Sequence, residues 1–165
     1  MASQSFRNFY EHLPPPAECL AILVGCVELT VFGLGGIANP LEFSKGYGLP
    51  IVPSTSNTDT SIRSSTQKAD QAEKESRNQR ALIAAIAARN AQNGILLLTF
   101  ALYTRDRKSL GIAVVAGLVA TVADTLIVRA YGVQEAVFGH VFGIFNCCAI
   151  GGSLLYWNRS DVWFN

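Results

Sequence analysis

Two textures alternate along the chain. Four blocks, Glu18–Ala38, Leu82–Thr104, Ser109–Tyr131 and Ala136–Trp157, are almost continuously apolar, and polar residues collect before and between them. Each block is close to the roughly 20 residues that an α-helix needs to cross a bilayer. The last, AVFGHVFGIFNCCAIGGSLLYW, has no polar stripe at helical period, whereas a helix of a soluble bundle keeps one on the side away from its core. The pattern predicts an all-α fold: a four-helix transmembrane bundle, one integral membrane domain over residues 1–165. The spans fall at about 18–38, 82–104, 109–131 and 136–157, with a polar connector over about 41–80.

Punctuation sharpens the boundaries. LPPP at Leu13–Pro16 stiffens the approach to the first span, so its helix is expected to start near Ala17. It is expected to stop at GLGGIANP, where Pro40 biases Asn39 away from helical angles. Without a preceding strand or G-x-G-x-x-G spacing, GLGGI reads as a helix-packing segment and not as a phosphate loop, and Gly139 with Gly143 reads the same way. In the connector, GYGLPIVPSTSNTDTS reads as a loop and TQKADQAEKESRNQR as a polar helix leading into the second span. FSKGYGLPI is apolar, with glycines that permit a tight path, and is expected to fold back on the bundle.

Composition fits lipid as the solvent, since 50% of the 165 residues are hydrophobic and only 15% charged, against roughly a quarter charged in soluble domains. The net charge of +1 and the lack of a long basic run point away from nucleic acid as a partner. RDRK at Arg105–Lys108 reads as the turn between spans two and three, with basic side chains at the headgroups. Arg129 is expected to snorkel, and Tyr156, Trp157 and Trp163 to form an interfacial belt. Cys19, Cys26, Cys147 and Cys148 lack C-x-x-C spacing and read as buried free thiols. No basic run precedes the first block directly, and Glu11 and Glu18 stand there, so that span is expected to stay and not be cleaved as a leader. The sequon at Asn158–Ser160 lies against the end of the last span and is discounted. Basic residues nearly balance on the two faces and set no orientation.

Candidate chemistry comes from what interrupts the apolar blocks. Glu28 lies in the first, Arg89 with Asn90 and Asn93 in the second, Asp124 with Thr121 and Thr125 in the third, and His140 with Asn146 in the fourth. A charged side chain near the middle of a membrane helix costs about 2.5–3.5 kcal/mol even on lenient scales, so these residues call for partners inside the bundle. Antiparallel threading puts them near one face. At 1.5 Å per residue, His140 and Asp124 lie roughly 6–10 Å in, Arg89 roughly 12 Å and Glu28 roughly 15 Å. A shared cluster follows, with Arg89 paired to Asp124 or Glu28 and His140 and the asparagines completing the hydrogen bonds. Such a layer serves either as a buried network fixing helix register or as a site for an apolar molecule reached from lipid or from that face. Phe138, Phe142 and Phe145 read as packing residues, although residues of this kind also line apolar pockets.

With these residues in place, the chain resembles a family of small four-span integral membrane proteins, frequent in fungi and known as a domain of unknown function. The resemblance rests on the Pro40 exit, GYGLP at Gly46–Pro50, AARNAQNG at Ala87–Gly94, the aspartate of VADTLIV and the histidine of VFGHVFG. The insertion STSNTDTSIRSSTQKADQAEKES departs from the pattern. Members occur among genes for terpenoid and polyketide biosynthesis, so the resemblance implies a lipophilic natural-product substrate, a cyclisation without a redox cofactor, and an endoplasmic-reticulum membrane.

The sequence contains no nucleotide motif, His-rich metal cluster or thiol pair, so the expected chemistry uses neither cofactor nor metal. The function expected is a membrane-embedded cyclase or isomerase. Arg89 and His140 would hydrogen-bond a substrate carbonyl, and if a proton moves Asp124 or Glu28 would serve as base and His140 as acid. Asn90, Asn93, Thr121, Phe142 and Asn146 would line the substrate. A transporter, for which an oligomer would supply the path, and a non-catalytic scaffold for a larger membrane enzyme are the alternatives.

Overall fold

The computed structural model describes residues 15–51 and 65–156, and among them every regular element is a helix. The first thirteen residues with Pro14, the 52–64 part of the connector, Trp157, Trp163 and the sequon lie outside the described residues. Among the described residues four helices are long and apolar enough to cross a membrane: α1 (Pro16–Ala38), the Glu73–Tyr103 part of α3 (Ser65–Tyr103), α4 (Arg107–Tyr131) and α5 (Gln134–Tyr156). The short α2 (Pro40–Tyr47) follows α1.

Helix α1 opens with Pro16 in its first turn, where a missing N–H costs nothing. It is α-helical to Val27 and π-helical over Glu28–Gly35. The chain then breaks at Asn39 (φ −136°, ψ 78°), whose side chain accepts the Glu42 N–H at 3.4 Å. Asn39, Pro40 and Glu42 thus form the N-terminal signature of a helix where the sequence reading placed none. Gly48 ends α2 at φ 89°, and the Gly48 and Leu49 N–H groups return to the Lys45 and Ser44 carbonyls. A Cβ on Gly48 would collide with Ala136. The Gly48 carbonyl accepts the Val133 N–H at 2.9 Å, which pins the end of α2 to the α4–α5 turn. FSKGYGLPI therefore does fold back on the bundle.

The polar helix before the second span is continuous with it: α3 starts at Ser65, is α-helical to Leu98 and closes through a π-helical turn at Thr99–Tyr103. Asp106 caps α4 by accepting the Lys108 and Ser109 N–H groups, and the Ser109 hydroxyl bond first of all, with these backbone bonds, holds its carboxyl below the usual range.

Two hairpins make the bundle. In one, α1 meets α3 along small residues: a Cβ on Gly33 would lie 2.7 Å from Ala91 Cα, and one on Gly94 2.5 Å from the Leu29 nitrogen. Such close backbone approach is how helices gain dispersion energy in lipid. In the other, α4 and α5 pack along their lengths, with Gly111 and Gly151 at the contact. The hairpins join at the face where α3 turns into α4, around Ala21, Leu97, Ala101, Leu110, Val114, Ile150 and Leu154. There α5 packs against the Pro16–Val27 half of α1, with no comparable packing along Glu28–Gly35. The bundle is a wedge, closed at the α3–α4 turn face and open toward α2.

Two residues close the narrow end in a way that corrects the sequence reading. Glu18, expected at the rim, is 1% exposed, and Arg107, expected at the headgroups, is 14% exposed; they pair at 3.0 Å. Arg107 Nη2 also donates to the Ser153 carbonyl at 3.1 Å. The aromatic expectation is corrected too: Phe138, Phe142 and Phe145 are exposed along α5. The four described cysteines form no disulfide, but Cys26 and Cys148 are exposed and Cys19 and Cys147 only half-buried. Arg129 and Tyr156 are exposed, as expected of span ends.

Candidate functional site

The wedge encloses a cavity of about 820 Å³. Its floor is apolar, formed by Ala21, Leu97, Val114 and Ile150; its upper wall carries Asn93, Thr121, Asp124, His140 and Asn146; Phe43, Gly46 and Tyr47 of α2 form the roof. Leu23, Val31 and Phe32 of α1 and Phe142 of α5 line the cavity and are also exposed, Phe142 by 57%. The mouth therefore faces sideways between α1 and α5, where lipid would lie. Gly139 lines the same space, and a Cβ there would meet no heavy atom within 4 Å. The G-x-x-x-G pair is thus not a packing pair: only Gly143 has a close neighbour, the Thr121 methyl.

The polar layer is built on one fork. Arg89 donates from Nη1 to Asp124 Oδ1 at 3.0 Å and from Nη2 to Oδ2 at 2.7 Å. Nη2 also reaches the Tyr47 hydroxyl at 3.3 Å and Asn90 Oδ1 at 3.2 Å. Of the two acids expected as partners, Asp124 takes the bidentate pair, the stronger arrangement for a guanidinium. Glu28 stands outside it, and its Oε2 is buried without a hydrogen-bond partner among the described residues.

His140 joins through Tyr47 and not through the pair. Its Nε2 lies 3.1 Å from the Tyr47 carbonyl, and the two rings meet edge to face at 4.8 Å. A carbonyl only accepts, so Nε2 carries the proton and a neutral ring leaves Nδ1 as a bare acceptor. The Tyr47 phenol accepts from Arg89 and gives its own proton to the Asp124 carboxylate. Burial, with the Asp124 carboxylate next to it, pushes that phenol well above its ordinary pKa.

Placement changes the parts these residues can play. Glu28, Asn90, Asn93, Thr121 and Asp124 line both the large cavity and a smaller one of about 230 Å³ between α3 and α4. Arg89 lines only the smaller one. Asn93 and Asn146 reach the large cavity without joining the Arg89 fork, and the Thr121 and Thr125 hydroxyls donate back to the Gly117 and Thr121 carbonyls. Arg89 holds three groups of the large cavity, Asp124, Asn90 and Tyr47, and the third was quoted in the sequence reading only inside GYGLP. The signal was present: a tyrosine between two glycines, just after a capped helix start.

Comparison with curated proteins and with solved structures returned no match to either. A family described only as a domain of unknown function matches residues 26–154, which run from mid-α1 almost to the end of α5 and contain the fork, the roof and most of the cavity lining. The chain belongs to this family, DUF4267.

Proposed function

We propose that the protein is a cofactor-independent cyclase or isomerase that takes a lipophilic terpenoid or polyketide intermediate directly from the bilayer, in the endoplasmic reticulum. The observation that carries this reading is the sideways-opening apolar cavity with its convergent polar roof. Volumes of about 300–1,000 Å³ are those of small-molecule sites. The resemblance to proteins of natural-product gene clusters supplies the substrate class.

A flexible chain held against Leu97, Val114 and Ile150 loses the freedom that otherwise opposes ring closure. The Tyr47 hydroxyl, fixed by Arg89, turns its proton from Asp124 to a substrate carbonyl and stabilises the charge that develops on its oxygen. For an intramolecular [4+2] closure this polarises an electron-poor alkene; two carbon–carbon σ bonds form at the expense of two π bonds, and no atom is gained or lost. For an isomerisation, His140 Nδ1 takes a proton from one carbon and the proton returns at another. A transporter also places charge in the membrane, but here the cavity ends on the packed Ala21–Leu97–Ile150 floor.

The test is metabolite profiling of a host that makes candidate precursors, with wild type against Tyr47→Phe, His140→Ala and the cavity-filling Gly139→Leu at matched membrane abundance. A product of unchanged molecular formula should appear with wild type, fall about 100-fold without the Tyr47 donor and vanish in Gly139→Leu. Identical profiles from all four proteins would remove the enzyme reading and favour the scaffold.

A further inference from the structure

The large cavity has an unusual charge inventory. Among the described residues no lysine or arginine lines it, and its ionisable carboxyls are Glu28, Glu42 and Asp124. Asp124 is neutralised by Arg89, and Glu42 by Lys45 at 3.0 Å. Among the described residues Glu28 has no ion pair and no hydrogen bond to Oε2; the Arg89 charge reaches it, but that guanidinium is committed to Asp124. His140 commits its ring proton to the Tyr47 carbonyl and presents an acceptor.

We infer that the cavity selects a lipophile bearing a basic nitrogen, held by a charge-assisted hydrogen bond to Glu28, and that it rejects lipophilic anions such as fatty carboxylates and prenyl phosphates. The inference rests on the reading of the cavity as a lipophile site and narrows its ligand class. An anion would meet Glu28 and the Nδ1 of His140 with no lysine or arginine lining the cavity to pair with it. An amine supplies the donor that Glu28 Oε2 lacks, on a charge opposite to that of the carboxylate. The depth is suitable: Glu28 stands roughly 15 Å from the end of α1 and His140 roughly 9 Å from the start of α5, at 1.5 Å per residue. A nitrogen at Glu28 therefore leaves room for a carbonyl near Tyr47.

Native mass spectrometry of the purified full chain would test this with three probes of equal chain length: dodecylamine, dodecanol and dodecanoate. At neutral pH the amine should bind at least about tenfold better than the carboxylate, with the alcohol between them. Glu28→Gln should bring amine and alcohol together, and Gly139→Leu should abolish binding of all three. Dodecanoate bound as well as dodecylamine and still lost in Gly139→Leu would overturn the amine inference while leaving the lipophile cavity intact. An amine preference unchanged in Glu28→Gln would overturn the role of Glu28. Binding of none of the probes, or binding indifferent to Gly139→Leu, would overturn the cavity reading and the inference together.

Discussion

Removing the Arg89 guanidinium would strand the Asp124 carboxylate, whose side chain is 11% exposed, without a counter-charge inside the bundle. Breaking a buried pair from one side costs about 3–5 kcal/mol. Arg89 itself is 39% exposed, so the lower end applies: Arg89→Ala should lose about 3 kcal/mol of stability in thermal unfolding in detergent. Replacing both partners, Arg89→Met with Asp124→Leu, should recover most of that stability, because no charge is left unpaired. It should not recover product formation, since the Tyr47 hydroxyl loses its anchor. A double variant that is stable and fully active would show the fork to be a register device alone. At this scale the sequence exposed the expensive residues but not their geometry. Charge in an apolar block is visible to hydropathy, and Arg89, Asp124, Glu28 and His140 all stood out. Which acid takes the arginine depends on the rotation of α1 and α4, and apolar residues say little about rotation when lipid and protein interior are equally greasy. Phe138 and Phe145 were misread for the same reason.

The helices report their own constraints. The α1–α3 seam puts Gly94 where a Cβ would lie 2.5 Å from the Leu29 nitrogen and 2.7 Å from the Gly25 carbonyl oxygen. Both are backbone atoms, so nothing flexible can yield. Gly94→Ala should push α1 from α3 and cost about 1–3 kcal/mol, the usual range for overpacking. Gly139→Ala should leave the unfolding midpoint unchanged or raise it, because its Cβ meets nothing and alanine is the better helix former. Equal effects at the two positions would mean that the seam is looser than drawn. The four spans were legible because length and continuous apolarity determine a crossing helix almost alone. Helix α2 was missed because eight residues with mixed polarity carry little periodic signal, and the Asn39–Pro40–Glu42 start was read only as an exit from α1.

Across the whole molecule, the open end near α2 requires the other end to hold the hairpins together, and the Glu18–Arg107 pair sits where α1, α4 and α5 converge. The pair is close, at 3.0 Å, yet both Glu18 oxygens and Arg107 Nε lack a well-aligned hydrogen bond among the described residues. Charge attraction and the bond from Arg107 to Ser153 therefore carry the contact. Hydropathy could not distinguish this clamp from ordinary rim residues, because arginine at a span end is commonly a headgroup anchor. If the clamp holds the wedge, Arg107→Ala leaves a fully buried carboxylate and should be more damaging than Arg89→Ala, at about 3–5 kcal/mol. Glu18→Leu with Arg107→Met should restore stability, and because the pair lies beyond the floor of the cavity, lipophile binding should return with it. Thermal unfolding and native mass spectrometry on the same preparations would separate the two effects. Stability without binding in the double variant would mean that the clamp sets the width of the cavity as well as the strength of the bundle. An Arg107→Ala protein that unfolds like wild type would mean that the α3–α4 turn face closes by packing alone.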